Sequence, residues 1–99
     1  MTNVDTMLFE WDKLKNEKNL AKHGIDFILA AQIFENEFLN LPSSHADEKR
    51  WLAVGDVGGK MLTVVYTIRG EALRIISASR ARDNEIGAYR QIYVRRTQE

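Results

Sequence analysis

Cysteine is absent from this 99-residue chain, which excludes disulfides and thiolate metal sites and removes any case for an oxidising compartment. A single proline, Pro42, and six glycines set it apart from collagen-like and disordered compositions. No run approaches the roughly 20 apolar residues of a membrane span. The opening MTNVDTMLFEWDK lacks the basic start and apolar core of a signal peptide, so the expected location is cytoplasmic. Histidine occurs only twice, and HExxH, CxxC, GxGxxG and GxSxG are all missing. Metalloprotease, zinc, dinucleotide and serine-hydrolase chemistries therefore have no support.

What is present is an ordinary globular composition, 44% hydrophobic and 28% charged, of a size that fits one domain over residues 1–99. Net charge is zero, yet it is a cancellation. Residues 1–48 hold four lysines against nine acids, and residues 49–99 hold ten Lys/Arg against five, so the halves carry −5 and +5. If folding separates them, the second half is expected to present a positive surface that attracts phosphate; otherwise the charges spread evenly over a solvated surface.

MLFEW (residues 7–11) reads as a strand ending at Asp12, a favoured helix N-cap. The helix that follows, over residues 13–23, is weakly amphipathic, with Lys15, Asn19, Lys22 and His23 along one polar face. Gly24 ends it and Asp26 caps a second helix over 27–35, in which Phe27, Ala30, Ala31 and Phe34 fall at core spacing with Leu29 and Ile33 beside them. Residues 36–50 lose periodicity around Pro42 and read as a loop that Phe38 and Leu39 anchor.

The next segment is a meander of three strands joined by Gly58-Gly59 and Gly70-Glu71. Two-residue turns pair Val57 with Lys60 and Arg69 with Ala72, placing Trp51, Ala53, Val64, Tyr66, Ile75 and Ser77 on one face. Leu52, Val54, Thr63, Val65, Thr67, Arg74, Ile76, Ala78 and Arg80 then fall on the other. Both faces are largely apolar, so the second is expected to need another chain to cover it. Asp83 is a cap candidate for a C-terminal helix with Ile86, Tyr89 and Tyr93 on one stripe.

The chemistry on offer is cationic and phenolic. Lys22, His23, Arg69, Arg74, Arg80, Arg82, Tyr66 and Tyr89 are types suited to holding a phosphodiester and moving a proton from a ribose 2′-OH. Each has a plainer role beside it. His23 can satisfy the carbonyls and dipole of a helix end, worth about 0.3–1 kcal/mol. Lys22 can be solvated, Arg69 can be surface charge at a turn, and Arg74 can pair with a carboxylate. Arg80 and Arg82 lie at a strand-to-helix junction, where functional side chains gather. The two tyrosines can be core residues.

The segments FEWDKLKNEKNLAKHGIDFILAAQIF and RWLAVGDVGGKMLTVVYTIRGEALRIISASRA, with Glu85 and Tyr89 behind them, closely resemble the BrnT toxins of bacterial type II toxin–antitoxin pairs over about residues 8–93. The most specific parts are W-D-x-x-K-x-x-x-N-L-x-K-H-G, from Trp11 to Gly24, and R-I-I-S-A, from Arg74 to Ala78. The resemblance implies a RelE-like ribonuclease that inhibits translation and is neutralised by a DNA-binding antitoxin, BrnA, in a heterotetramer. The family commonly continues after I-S-A with a cation, whereas here Ser79 precedes Arg80. Either activity is weakened or Arg80 takes that part.

Together these readings give an α+β fold: a four-stranded, mainly antiparallel sheet, two N-terminal helices and a C-terminal helix. The expected activity is RNA cleavage without metal or cofactor. Arg69 and Arg80 would clamp the scissile phosphate, His23 or Tyr89 would move protons, and Lys22, Arg74 and Arg82 would hold the RNA. The alternative is a non-catalytic RNA- or protein-binding module that acts as structural partner of a DNA-binding antitoxin.

Overall fold

The computed structural model describes residues 8–43 and 48–93. Its elements are β1 (Leu8–Glu10), α1 (Lys13–His23), α2 (Phe27–Ala31) continued by a 3-10 turn (Gln32–Glu35), β2 (Phe38–Ser43), β3 (Arg50–Val57), β4 (Lys60–Arg69), β5 (Ala72–Arg80) and α3 (Asp83–Ile92).

The helical corner forms through local chemistry. The Asp12 carboxylate accepts the Lys15 N–H, Gly24 closes α1 with φ of 72°, and Asp26 accepts the Leu29 N–H at 2.8 Å. Phe27, Ala30, Ile33 and Phe34 are then buried, while Leu29 stays exposed. The Phe34 ring centre lies 5.8, 5.2 and 5.1 Å from those of Phe9, Phe38 and Tyr66, which ties the corner to three strands. Gly55 allows the 3-10 turn to come this close, because a Cβ there would lie 3.1 Å from Ile33 Cγ1.

The sheet runs β1-β5-β4-β3-β2, with β1 parallel to β5 and the other pairs antiparallel. It has five strands, not four. The extra one, β2, lies in the segment read as a loop, and pairs with β3 from Phe38 opposite Gly55 to Ser43 opposite Arg50. An edge strand tolerates Pro42 because half of its N–H groups face no neighbour. Residues 44–47 of that loop lie outside the described residues.

Both hairpins have the expected register, Val57 opposite Lys60 and Arg69 opposite Ala72. Positive φ at Gly58 and Gly59, 60° and 88°, suits the twist that a two-residue turn demands. Further along, an irregularity between Val65 and Tyr66 sets Val65 opposite Ser77 and Val64 opposite Ala78, which corrects the expected faces. Ala78 turns into the core, Ser77 turns to the opposite face, and Arg80, opposite Leu62, joins the core side. One extra residue in a strand does this to everything after it.

The second sheet face is partly closed by α3 itself, where another chain was expected. Val54 and Thr63 on that face are fully or almost fully buried, and α3 packs over β2 and β3. The Thr63 hydroxyl donates to Glu85 Oε1 at 2.8 Å, and the Tyr93 hydroxyl donates to the Phe38 carbonyl at 2.8 Å. Arg82, not Asp83, is the N-cap residue. Its own N–H donates to Glu85 Oε1, and having no acceptor atom it offers no reciprocal bond. Leu41, Leu52 and Val65 remain half-buried beside the helix.

Candidate functional site

α1 is oriented by a polar residue. Leu14 and Leu20 are 63% and 49% exposed, whereas Asn19, 7% exposed, is the buried residue of the helix. Its Nδ2 donates to the carbonyls of Ile25 and Ala78 at 2.9 and 2.8 Å, and its Oδ1 accepts the Ala78 N–H at 3.1 Å. β1 pairs with β5 only from Ala72 to Arg74, so beyond Arg74 the outer edge of β5 needs another partner. The Asn19 amide supplies to Ala78 the donor and acceptor that a neighbouring strand would have given. Asn16 helps from the same helix by accepting the Phe27 N–H at 2.8 Å.

This lashing creates a shallow groove of about 320 Å³ between α1 and β5, lined by Lys15, Lys18, Asn19, Lys22, His23, Ile76 and Ser77. Spacings of three and four residues put the three lysines on one stripe of the helix with His23 next to its last member, and Lys15 and Lys22 are about 10 Å apart along its axis. No carboxylate lines the groove. Among the described residues, none of these cations has an ion-pair partner. Lys22 and His23 thus line one groove, apart from Arg69, while Lys18 and Asn19 carry parts that periodicity did not assign them.

The other candidates are dispersed. Arg69 and Arg80 sit at opposite ends of β5, opposite Ala72 and at the final residue respectively. Eight residue steps separate those ends, about 26 Å of strand, so the two cannot clamp one phosphate. Arg69 instead meets Glu48 at 3.6 Å, and Arg50 meets it at 3.1 Å. The hydrogen bond from Arg50 holds the Glu48 carboxyl below its ordinary range against an opposing effect of burial, and the charges of Arg50 and Arg69 add to it. Arg74 pairs with Glu10 at 2.9 Å, its neighbour in the β1–β5 register.

Charge segregation by chain half is therefore overturned. Arg50 and Arg69 share Glu48 and Arg74 pairs with Glu10, both carboxylates coming from the acidic half, and the lysine stripe itself comes from that half. Arg80 and Arg82 are exposed, without ion pairs among the described residues. Arg80 lies three residues beyond Ser77, about 10 Å along the strand from the groove. Ser79, opposite Thr63, faces the α3 side, whereas Arg80 faces the other. Arg80 accordingly does not replace a cation at position 79.

Tyr89 lies on α3, over β2 and β3 rather than beside β5, with its ring 4.8 Å from that of Tyr93. Burial raises its pKa, and the charges of Asp56 and Glu37 raise it further, so it holds its proton tightly in a setting whose negative charges repel phosphate. Tyr66 is also raised by burial, and its hydroxyl donates to Asn40 Oδ1 at 2.7 Å. Both phenols keep their protons in the folded chain at pH values where the unfolded chain has lost them. Stability is expected to be insensitive to these groups below their ordinary value of 10.0 and to fall as pH rises above it. Urea denaturation from pH 8 to 11 checks this, with a flatter profile expected for Tyr66→Phe.

Among the described residues no group of three His, Asp or Glu side chains is placed to hold a metal ion. No helix among them is long and apolar enough to cross a membrane. A cationic groove along one strand edge of a small α+β sheet suits a polyanionic ligand. Residues 11–85 match the family described as the ribonuclease toxin, BrnT, of type II toxin–antitoxin systems, and the chain belongs to that family. The family indicates a ribonuclease toxin with an antitoxin partner. No curated protein matches the chain.

Proposed function

We propose that this protein is an endoribonuclease that inhibits translation by cutting RNA without a metal ion, and that the α1–β5 groove is where it acts. The observation that carries the reading is the meeting of Lys15, Lys18, Lys22 and His23 in one groove without a carboxylate, in a chain of a ribonuclease-toxin family. In-line attack of a 2′-OH on the neighbouring phosphorus needs a group to take the 2′ proton, positive charge at the phosphoryl oxygens, and a proton for the departing 5′ oxygen. His23 is assigned proton transfer and Lys22 the developing charge. Arg80 and Arg82, beyond the end of the groove, receive an adjoining stretch of the RNA backbone. Arg69, Arg74 and Tyr89 are left out of the chemistry, because two are paired with carboxylates and the third lies across the sheet.

A free ribonuclease harms its host, so a BrnA-like DNA-binding antitoxin completes the system in a heterotetramer, and contact with DNA is made only through it. The half-buried Leu41, Leu52 and Val65 beside α3 are assigned to that contact. The test is cleavage by purified toxin freed of antitoxin, in EDTA. Fragments ending in 2′,3′-cyclic phosphate and 5′-hydroxyl are expected. Products with 5′-phosphate, cleavage only with added magnesium, or RNA that binds uncut would each contradict the mechanism, the last favouring a non-catalytic module.

A further inference from the structure

We infer that the outer edge of β2 is closed to strand addition by a second copy of this chain, and that Pro42 and Tyr93 close it by removing the two ends of one hydrogen bond. The inference stands apart from the ribonuclease reading and gives both residues a part that the groove does not.

An edge strand shows a row of unpaired N–H and C=O groups to any other chain, and native sheets guard such rows with charges, proline or a covering element. β2, with the sequence FLNLPS, has no charged residue, and its Phe38, Leu39 and Leu41 are apolar and half-buried. Its guard therefore has to act on the backbone.

Alternation decides which groups are on offer. Along an antiparallel ladder, residues in turn exchange both backbone bonds with the neighbouring strand and point both away from it. Pro42, opposite Trp51, has no N–H to give and sits where that group would face outward. Asn40 and Phe38, two and four residues back, share its orientation. The outer edge thus consists of the N–H and C=O of Phe38 and Asn40 and the C=O of Pro42. One of these is already taken, because the Phe38 carbonyl accepts the Tyr93 hydroxyl at 2.8 Å.

The consequence appears when two copies are set edge to edge. The antiparallel two-fold register that uses all three outward residues is centred on Asn40. It sets Phe38 opposite the second copy's Pro42 and Leu39 opposite its Leu41, a contact that would reward pairing. The two Asn40 residues could exchange both bonds, and each Phe38 N–H could reach a Pro42 carbonyl. The return bond at each end, from residue 42 to the Phe38 carbonyl, has no proton on one side and a filled acceptor on the other. The proline ring also stands where the N–H would be, so both ends of the pairing splay. A partner at this end of the sheet is left a face, not an edge, to meet.

The test is sedimentation equilibrium of the full chain at about 0.2 mM, where association is concentration-dependent. The parent is expected to be a monomer. Pro42→Thr with Tyr93→Phe restores both ends of the bond, twice per dimer. Self-association should tighten at least about tenfold, from two bonds worth roughly 2–12-fold each. Adding Ser43→Glu should undo the gain at low salt, because the new carboxylate faces the second copy's Glu37 across the two-fold axis, and added salt should restore it. Within its own chain that carboxylate lies opposite Arg50, which favours the fold. Circular dichroism and thermal denaturation check that each variant is folded. If the loss of the Tyr93 tie unfolds the chain, Pro42→Thr alone carries the test, since the Phe38 carbonyl has a second lone pair, with an expected gain of about twofold or more.

A folded variant that associates no more than the parent would overturn the inference. So would association that Ser43→Glu leaves unchanged, or a parent that already dimerises and becomes monomeric with Ser43→Glu.

Discussion

Replacing Asn19 with alanine is expected to destabilise the protein by about 3–5 kcal/mol, a large share of the 5–15 kcal/mol typical of a whole domain. The estimate follows from what is left behind. The Ala78 N–H and the carbonyls of Ala78 and Ile25 lose their Asn19 partners in buried surroundings, and an orphaned buried group costs about 1–3 kcal/mol. At roughly 4–8 °C per kcal/mol for a chain of this size, Tm should fall by about 12–40 °C. Asn19→Asp is the sharper variant because it keeps the shape but has no N–H to donate. At neutral pH its carboxylate would face two carbonyl oxygens, so its folded pKa should be raised. Its penalty should therefore shrink as pH falls and the carboxyl gains a proton it can donate. Lys18→Ala, one position away and exposed, should change stability by less than about 0.5 kcal/mol. A loss below about 1 kcal/mol for Asn19→Ala would mean that α1 is held by something other than this amide.

The residues that were legible before the fold are those whose signals are local. Asp12, Gly24 and Asp26 act within a turn of themselves, and Gly58-Gly59 and Gly70-Glu71 set two hairpins whose register followed from loop length. Asn19 was visible as part of a polar stripe with Lys15, Lys22 and His23, but its partner Ala78 lies 59 positions away. Weak amphipathicity was the available clue, since a helix with few inward leucines must be held by something else. β2 was masked by Pro42, which argues against a central strand but not against an edge. The β5 irregularity has no periodic signature, and it reversed the faces expected for Ser77, Ala78 and Arg80. The clamp of Arg69 and Arg80 failed for a related reason: residue type marks an arginine as suited to phosphate, and only the strand between two arginines says whether they meet. Glu10 and Glu48 show the same limit for charge, because they pair with arginines from the other half of the chain.

The second large effect concerns the chemistry. Lys22 and His23 are exposed at the C-terminal turn of α1, so removing both side chains should cost little beyond about 1 kcal/mol of helix-dipole interaction. Their catalytic loss should be far greater. A positioned proton carrier contributes about 10²–10⁴-fold, and a preorganised positive group at a developing oxyanion about 10²–10³-fold. Groups that act on one transition state lose less together than the product of their separate losses, so a combined fall of about 10³–10⁵-fold is expected. The decisive measurement is the rate of RNA cleavage in EDTA by the Lys22→Ala, His23→Ala double variant, beside its denaturation curve. A rate at least about 10³-fold below the parent with the transition within about 1 kcal/mol of it is the expected result. A folded double variant that cuts RNA at the parental rate would contradict the placement of the chemistry in the groove between α1 and β5.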